Sequence, residues 1–281
     1  MPTVERDRWR FDVSCTGPED GEAVLLLHGF PQGADVWARV AAALAGEGYR
    51  AIAPDQRGYS PGARPTGAGA YRVRELVADA LAVVDALVEP GARAHVVGHD
   101  LGALVAWSLA ARHPDRVRTL TAVSVPPAAA YRHAVVSSRQ ALASWYVLAF
   151  VVPGLAERAL APRRCAPLAL ALRRAGQGSA PAERDAARMA EPGALHCALN
   201  WYRGMLAGSA GTPEPPVRVP AQLVWSSGEG PVTRPAAELA HRYVAGPFRY
   251  VELCGVSHWI PDEAPETLAE LVIEHMAAYR G

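Results

Sequence analysis

Gly98-His99-Asp100-Leu101-Gly102 is the stretch of this sequence that decides the fold. It fits the G-x-S-x-G pattern of a nucleophile elbow, a sharp turn between a strand and a helix, with Asp100 in the central position. Glycines flank such a turn because its backbone is strained and closely packed. A carboxylate there can attack a saturated carbon and form an ester with the protein. Taken alone, the same pattern also describes an ordinary turn.

The residues around this stretch favour the elbow. Residues 93–97 are typical of a short buried strand, and the Ala-rich segment Leu101–Arg112 predicts a helix that ends before Pro114. Segments typical of strands alternate with segments typical of helices along most of the chain. This alternation predicts the α/β class, with a doubly wound and mostly parallel sheet. The other predicted strands are 9–14, 23–27, 50–54, 117–125, 221–225 and 249–253, and the other predicted helices are 34–45, 73–88, 235–243 and 267–280.

The alternation stops between residues 126 and 216, where no convincing strand is found and Ala, Arg and Leu are frequent. We interpret this segment as a helical cap domain that lies over the sheet. The core domain then consists of residues 1–125 and 217–281. The most apolar part of the cap segment, residues 141–155, is too short to span a bilayer.

Composition excludes several classes of protein. Of 281 residues, 50% are apolar and 20% charged, and 28 basic residues balance 28 acidic ones. The balanced charge favours neither a nucleic acid nor an anionic membrane surface as partner. The four cysteines, at positions 15, 165, 197 and 254, have no metal-ligand spacing, and the first residues lack the apolar core of a signal peptide. We expect a cytoplasmic protein without a metal, a cofactor or stable membrane insertion. The oligomeric state is left open, a homodimer included.

Two further residues complete a candidate catalytic triad with Asp100. On this kind of sheet the nucleophile, the acid and the base follow successive strands in that order. Glu229 follows the predicted strand 221–225, and His258 follows the last one. Because ligands and catalytic groups gather at the carboxyl ends of parallel strands, we expect the three side chains to converge. Glu252, Asp262 and Glu263 are poorer candidates for the acid, since they lie on or beyond the last strand.

The segment His28-Gly29-Phe30-Pro31 follows another predicted strand and is expected to supply an oxyanion hole. The backbone N–H groups of Phe30 and Leu101 would face the negative charge that develops when an ester on Asp100 is hydrolysed. His28 and His99 are then expected to hold these loops in place through hydrogen bonds.

These motifs together resemble the epoxide hydrolases of the α/β-hydrolase fold. The resemblance rests on the two segments quoted above, on Asp55-Gln56-Arg57-Gly58-Tyr59-Ser60 and on Gly255-Val256-Ser257-His258. It runs from about residue 22 to the C-terminus and implies a helical cap inserted after the sixth strand. Dehalogenases and esterases share the core motifs, so the core alone identifies the superfamily.

The cap segment resembles epoxide hydrolases more specifically. In that family two cap tyrosines donate hydrogen bonds to the epoxide oxygen. The segments that contain Tyr146 and Tyr202 match the two family patterns, so the resemblance implies this role for both. Such donors are needed because an alkoxide is a poor leaving group. We also expect aromatic residues close to these motifs to contact the substrate, namely Trp145, Phe150, Trp201 and Trp259.

The sequence also departs from related families. Haloalkane dehalogenases and many epoxide hydrolases have Trp after the nucleophile, where this chain has Leu101. Fluoroacetate dehalogenases have arginines shortly after the nucleophile, and Leu101 and Leu104 do not match them. The relay acid of these families is commonly Asp, so Glu229 is one methylene longer and its geometry is in question.

We therefore expect an epoxide hydrolase that converts a hydrophobic epoxide to a vicinal diol. Asp100 would form the ester, and His258, oriented by Glu229, would activate the water that hydrolyses it. A haloalkane-type dehalogenase is one alternative. Another is a biosynthetic enzyme of the same fold in which an internal nucleophile opens the epoxide. A receptor without catalytic activity is the alternative outside enzymes, and it predicts a degraded triad.

Overall fold

The computed structural model of the protein describes residues 2–207 and 213–280. A central sheet has the strand order β1-β2-β4-β3-β5-β6-β7-β8 in this part of the chain. The first two strands run antiparallel to their neighbours, and the strands from β4 to β8 are parallel. This arrangement confirms the predicted α/β class and the mostly parallel sheet. The strands are β1 (Thr3–Arg6), β2 (Trp9–Thr16), β3 (Ala23–Leu27), β4 (Arg50–Pro54), β5 (Ala94–His99), β6 (Val117–Val123), β7 (Ala221–Gly228) and β8 (Phe248–Ser257).

Helices cover both faces of the sheet and create two apolar cores. The central strands β3 and β5 are buried along their whole length, as expected for parallel strands covered on both faces. One core lies under α1 and α13, and the other lies under α2 and α3. The helices outside the cap segment are α1 (Ala38–Gly46), α2 (Val73–Leu87), α3 (Leu101–Arg112), α11 (Arg234–Glu238), α12 (Ile260–Glu263) and α13 (Pro265–Ala277).

Seven helices, α4 to α10, lie between β6 and β7 in the described residues. Helix α10 packs on a short 3₁₀ helix of the core, Ala68–Tyr71, and α6 packs on α10. The pair α6 and α10 is therefore held against the core through this short helix. The division into a core and a cap domain at residues 126 and 216 stays a prediction. The seven helices are α4 (Ala128–Ser137), α5 (Gln140–Ala143), α6 (Trp145–Val151), α7 (Leu155–Leu160), α8 (Pro162–Arg174), α9 (Ser179–Met189) and α10 (Ala194–Ala207).

Several predicted boundaries differ from the structure. The predicted helix 34–45 begins as the 3₁₀ helix Ala34–Trp37, and 235–243 is split into α11 and the 3₁₀ helix Leu239–Tyr243. Strand β1 and helix α12 were not predicted. Strands β7 and β8 continue three and four residues beyond their predicted ends because they pair with each other as far as Gly228 and Ser257.

Two kinds of feature are absent from the described ranges, 2–207 and 213–280. None of the helices there is both long enough and apolar enough to cross a bilayer. No group of three or more His, Cys, Asp or Glu side chains in these ranges is arranged to hold a metal ion.

Candidate active site

Asp100 lies at the turn between β5 and α3, as the elbow predicts. Its backbone has φ 53° and ψ −122°, a strained conformation for a residue with a side chain. The turn is tight enough that a Cβ atom at Gly98 would lie 2.5 Å from the carbonyl oxygen of Gly102. A Cβ atom at Gly102 would lie 2.3 Å from the carbonyl oxygen of Leu27 on β3. Both glycines are therefore required by close packing of backbone against backbone.

A substitution at Gly102 tests this packing. Because no flexible side chain can move aside, we expect Gly102→Ala to lower the free energy of unfolding by about 3 kcal/mol, the upper end of overpacking costs. The melting temperature should fall by roughly 5–10 °C in a chain of this size. Gly69→Ala is the matched control, since no atom lies within 4 Å of its added Cβ. Equal melting temperatures for the two variants would contradict the tight turn.

The carboxylate of Asp100 is held by two backbone N–H groups. The N–H of Phe30 donates to Oδ2 at 2.8 Å, and the N–H of Leu101 also hydrogen-bonds this carboxylate. Burial raises the pKa of Asp100, while the charge of His258 and the two N–H groups act in the opposite direction. The backbone N–H groups of both predicted oxyanion-hole residues thus contact the carboxylate of the predicted nucleophile.

His258 lies between Asp100 and Glu229. Its Nδ1 is 2.8 Å from Oε1 and 2.9 Å from Oε2 of Glu229, whose side chain is completely buried. Its Nε2 is 3.7 Å from Oδ1 of Asp100. Burial lowers the pKa of His258, but the charge and hydrogen bond of Glu229, followed by the charge of Asp100, raise it to about 9. The structure therefore brings the three predicted triad residues together.

Two other histidines hold the loops of this site. His28 Nε2 accepts a hydrogen bond from the N–H of Gln56 at 3.1 Å, so its Nδ1 is free to donate to the carbonyl of Gly29 at 3.1 Å. Burial lowers the pKa of His28 to about 4, which keeps the ring neutral. His99 Nε2 lies 2.9 Å from the carbonyl oxygen of His258. Their positions agree with the predicted supporting role.

Tyr146 on α6 and Tyr202 on α10 face each other across an aromatic cluster. The two rings are 6.5 Å apart, and Phe150 contacts both, at 5.4 Å from Tyr146 and 5.1 Å from Tyr202. The ring of Phe30 joins the cluster, 5.6 Å from Tyr202 and 5.5 Å from Phe150. The cluster thus connects α6 and α10 to the loop of Phe30, whose N–H group holds Asp100.

The hydroxyl groups of these two tyrosines are available to a substrate. Among the described residues neither hydroxyl has a hydrogen-bond partner. Burial and then the negative charge of Asp100 raise the pKa of Tyr146 and of Tyr202 well above the usual value. Both phenols are therefore neutral donors that lie within the electrostatic field of Asp100.

The four other aromatic residues predicted to contact the substrate lie in different environments. Phe150 belongs to the cluster, and the Trp259 ring lies 5.2 Å from His258 while its indole N–H donates to the Ala175 carbonyl. Trp201 is buried, and its indole N–H donates to the carbonyl of Arg57 at 2.7 Å, so it anchors α10 to the core. The Trp145 side chain is 69% exposed on the outer face of α6, and its contact with a substrate stays a prediction.

A buried polar network behind the site was not predicted. Asp262 accepts hydrogen bonds from Gln32 at 2.8 Å and from Gln177 at 3.1 Å, and it pairs with Arg184 of α9 at 3.2 Å. The other end of the Gln32 side chain lies 3.0 Å from His99 Nδ1. The network therefore links α9 to the loops around His258. No sequence pattern indicates it, since its members are far apart in the chain and belong to no common motif.

Known proteins share the sequence pattern and the fold of this chain. The family model described as alpha/beta hydrolase fold matches residues 22–171. The chain belongs to this family. A relative from Bacillus subtilis (strain 168), AB hydrolase superfamily protein YfhM, is 32% identical over 94% of this chain and 93% of its own length. Epoxide hydrolase A of Mycobacterium tuberculosis (strain ATCC 25618 / H37Rv) is 31% identical over 97% of this chain and 96% of its own length.

Solved structures agree with this placement of the α/β-hydrolase. The crystal structure of Epoxide Hydrolase A from Mycobacterium thermoresistibile superposes with a TM-score of 0.84 and 27% sequence identity, covering 99% of this chain and 98% of that one. The α/β-hydrolase fold expected from the motifs is therefore confirmed, and the epoxide hydrolases that the motifs resemble are among its relatives.

Proposed function

We propose that this α/β-hydrolase is an epoxide hydrolase that forms a covalent ester on Asp100. The observation that carries the proposal is the placement of two unpartnered phenol hydroxyls, from Tyr146 and Tyr202, near a buried Asp at the nucleophile elbow. A carboxylate nucleophile suits attack on a saturated carbon, and the two phenols suit an oxygen leaving group. The relatives named epoxide hydrolase support the same assignment.

In the first step Oδ1 of Asp100 attacks one carbon of the epoxide, and the bond from that carbon to the epoxide oxygen breaks. The electron pair of the broken bond stays on this oxygen. Tyr146 and Tyr202 stabilise the resulting alkoxide by hydrogen bonds, and it takes up a proton through them. Oδ1 is the attacking oxygen because Oδ2 is already engaged by the N–H of Phe30.

In the second step water attacks the carboxyl carbon of the ester. His258 accepts a proton from this water, and Glu229 holds the imidazole in position and compensates its positive charge. The N–H groups of Phe30 and Leu101 stabilise the oxyanion that forms at Oδ2. When the intermediate collapses, the bond from the carboxyl carbon to Oδ1 breaks, the leaving oxygen takes the proton back from His258, and the diol departs with Oδ1. The proton that remains on the new carboxyl group is released and replaces the one that the alkoxide took up in the first step, so Asp100 is again a carboxylate.

The cap segment, residues 126–216, completes the site in this proposal. It supplies both tyrosines and Phe150, and Phe30 of the core faces them. These aromatic rings provide apolar walls around the reacting groups and exclude bulk water from them. We propose a hydrophobic epoxide as substrate, because charged groups of a substrate would find no partner among these rings.

The test is the intact mass of a His258→Ala variant incubated with a panel of hydrophobic epoxides and alkyl halides. We expect a mass gain equal to one whole epoxide, because the ester forms and cannot be hydrolysed. The double variant Asp100→Asn/His258→Ala should gain no mass. The wild type should release the diol without accumulating an adduct.

Two results would overturn the proposal. A mass gain equal to an alkyl group without its halogen would assign a dehalogenase. An adduct that persists in the double variant would show that Asp100 is not the nucleophile.

A further inference from the structure

Helix α6 is apolar on its inner and its outer face. Tyr146 and Phe150 on the inner face belong to the aromatic cluster at the site. Trp145 and Leu148 on the outer face are 69% and 71% exposed. The helix contains no charged residue, and none of its seven residues is fully buried. A helix that is apolar all round is normally covered on all sides, so the outer face of α6 lacks a cover.

The exposed apolar residues continue beyond α6 as a stripe. Helices α4, α5, α6 and α7 contact one another in sequence order. On these helices and the turns between them, large exposed apolar side chains recur at intervals of a few residues. Large exposed apolar side chains that are concentrated on neighbouring helices in this way are typical of an interaction site. The apolar stripe comprises Val136, Leu142, Trp145, Leu148, Val152 and Leu155.

The residues that flank the apolar stripe are strongly basic. Residues 126–164 contain five arginines and a single acidic residue, Glu157. Glu157 is already bound by Arg203 and His196. All five arginines are exposed, and none of them forms an ion pair with another described residue. They are Arg132, Arg139, Arg158, Arg163 and Arg164.

This local charge differs from that of the whole chain, whose formal net charge is +0. Unpaired arginines beside exposed Trp, Leu and Val are the residue types that bind at the surface of an anionic bilayer. The arginines contact lipid phosphates, and Trp lies at the level of the headgroups. A second copy of the chain fits this surface less well, because an isologous contact would bring unpaired arginines of both copies together.

We propose that the apolar stripe and its flanking arginines form a docking surface for an anionic lipid bilayer. The contact is peripheral: the stripe enters the headgroup region, and the arginines neutralise lipid charge. This surface includes the outer face of α6, whereas the aromatic cluster lies on the inner face. In a docked molecule the outer face of α6 therefore contacts the lipid, and the aromatic cluster faces away from it. This inference goes beyond the proposed reaction and does not depend on it.

Binding to vesicles tests the proposal. We expect the wild type to co-sediment with vesicles of phosphatidylcholine and phosphatidylglycerol at least about tenfold more than with phosphatidylcholine alone, and less at high salt. Trp145→Ser/Leu148→Ser should reduce the bound fraction about tenfold. Arg132→Gln/Arg139→Gln should reduce it mainly at low salt. The matched control is Leu170→Ser, which changes an exposed leucine, 42% accessible, outside the stripe.

Tryptophan fluorescence gives a second readout that reports the orientation of the docked protein. Trp37, Trp107, Trp201, Trp225 and Trp259 are buried, and Trp9 is half-buried. Brominated lipid should therefore quench chiefly Trp145. The variant Trp145→Phe should keep its binding to vesicles and lose most of this quenching.

Three results would overturn the proposal. One is equal sedimentation of the wild type and Trp145→Ser/Leu148→Ser with anionic vesicles. Another is binding without quenching by brominated lipid. The third is a dimer in solution that Trp145→Ser/Leu148→Ser dissociates while vesicle binding is absent, which would assign the stripe to a second copy of the chain.

Discussion

Replacing both cap tyrosines by phenylalanine should lower kcat/KM for a hydrophobic epoxide at least about 10³-fold, and each single replacement about 10²-fold, as for other donors to a developing oxyanion. The reason is that Tyr146 and Tyr202 provide the two neutral donors to the alkoxide in the proposed reaction. Phenylalanine keeps the ring contacts with Phe150. The loss should therefore be confined to the hydroxyl groups.

The measurement is the rate of ester formation in a single turnover, together with steady-state kcat/KM. Tyr250→Phe is the matched control, since it removes a buried hydroxyl that has no hydrogen-bond partner and lies on β8. Its activity should equal that of the wild type. A double variant Tyr146→Phe/Tyr202→Phe with more than a tenth of wild-type activity would exclude the proposed role of the phenols.

Replacing Glu229 by glutamine should slow hydrolysis of the ester about 10²-fold or more, within the range of general base catalysis. It should also move the pH dependence of this step. His258 must be neutral to accept a proton, so hydrolysis should become faster as the pH rises through its pKa. In the resting protein that pKa is about 9, because Glu229 and Asp100 stabilise the imidazolium against the effect of burial. Esterification removes the charge of Asp100, so the apparent pKa of the intermediate should lie below 9.

In Glu229→Gln the main charge that raises the pKa of His258 is also lost. The acid limb of the hydrolysis rate should therefore shift to lower pH by about one unit or more, even though the maximal rate falls. Both effects are measured from the decay of the ester at a series of pH values from acid to alkaline. Samples are quenched at intervals, and the remaining ester is quantified by intact mass. Glu252→Gln serves as control, because Glu252 is a poorer candidate for the acid and pairs with Arg234. An unchanged acid limb in Glu229→Gln would show that Glu229 does not control the titration of His258.

The sequence predicts most of the sheet because its signals there are local. Strands β3 and β4 and helix α3 have the predicted bounds, since continuous apolar runs end at Gly, Pro or the elbow. Strand β1 has no comparable signal: it exists because Val4 pairs with Phe11 on β2. Tertiary pairing also extends β7 and β8 beyond their apolar runs.

The site was predictable to the extent that strand order determines it. Asp100, Glu229 and His258 converge because each follows a parallel strand at the same edge of the sheet. Glu229 has a side chain one methylene longer than the usual Asp, which left its fit to His258 open. Strand β7 continues to Gly228, so Glu229 directly follows the end of this strand. Both carboxylate oxygens then lie within hydrogen-bond distance of His258 Nδ1.

Other features of the site depend on contacts that no local pattern encodes. Trp145 and Tyr146 are neighbours in the sequence, yet one is exposed and the other faces the aromatic cluster, because α6 is rotated to place only one of them inward. The contact between Gln32 and Asp262 joins a loop to helix α12, and the two are separated by most of the chain. Such contacts follow from the packing of distant segments against one another and not from spacing along the sequence.

The two oxygens of Asp100 have different surroundings, and this has a consequence for the protein itself. Oδ2 is held by the N–H of Phe30, whereas Oδ1 faces His258. In the proposed reaction Oδ1 departs with the diol, and an oxygen atom from water takes its place. In that reaction the protein would give one of its own oxygen atoms to each product molecule and would receive the replacement from solvent. After the first turnover the sequence would be unchanged, but one carboxylate oxygen of Asp100 would have come from water.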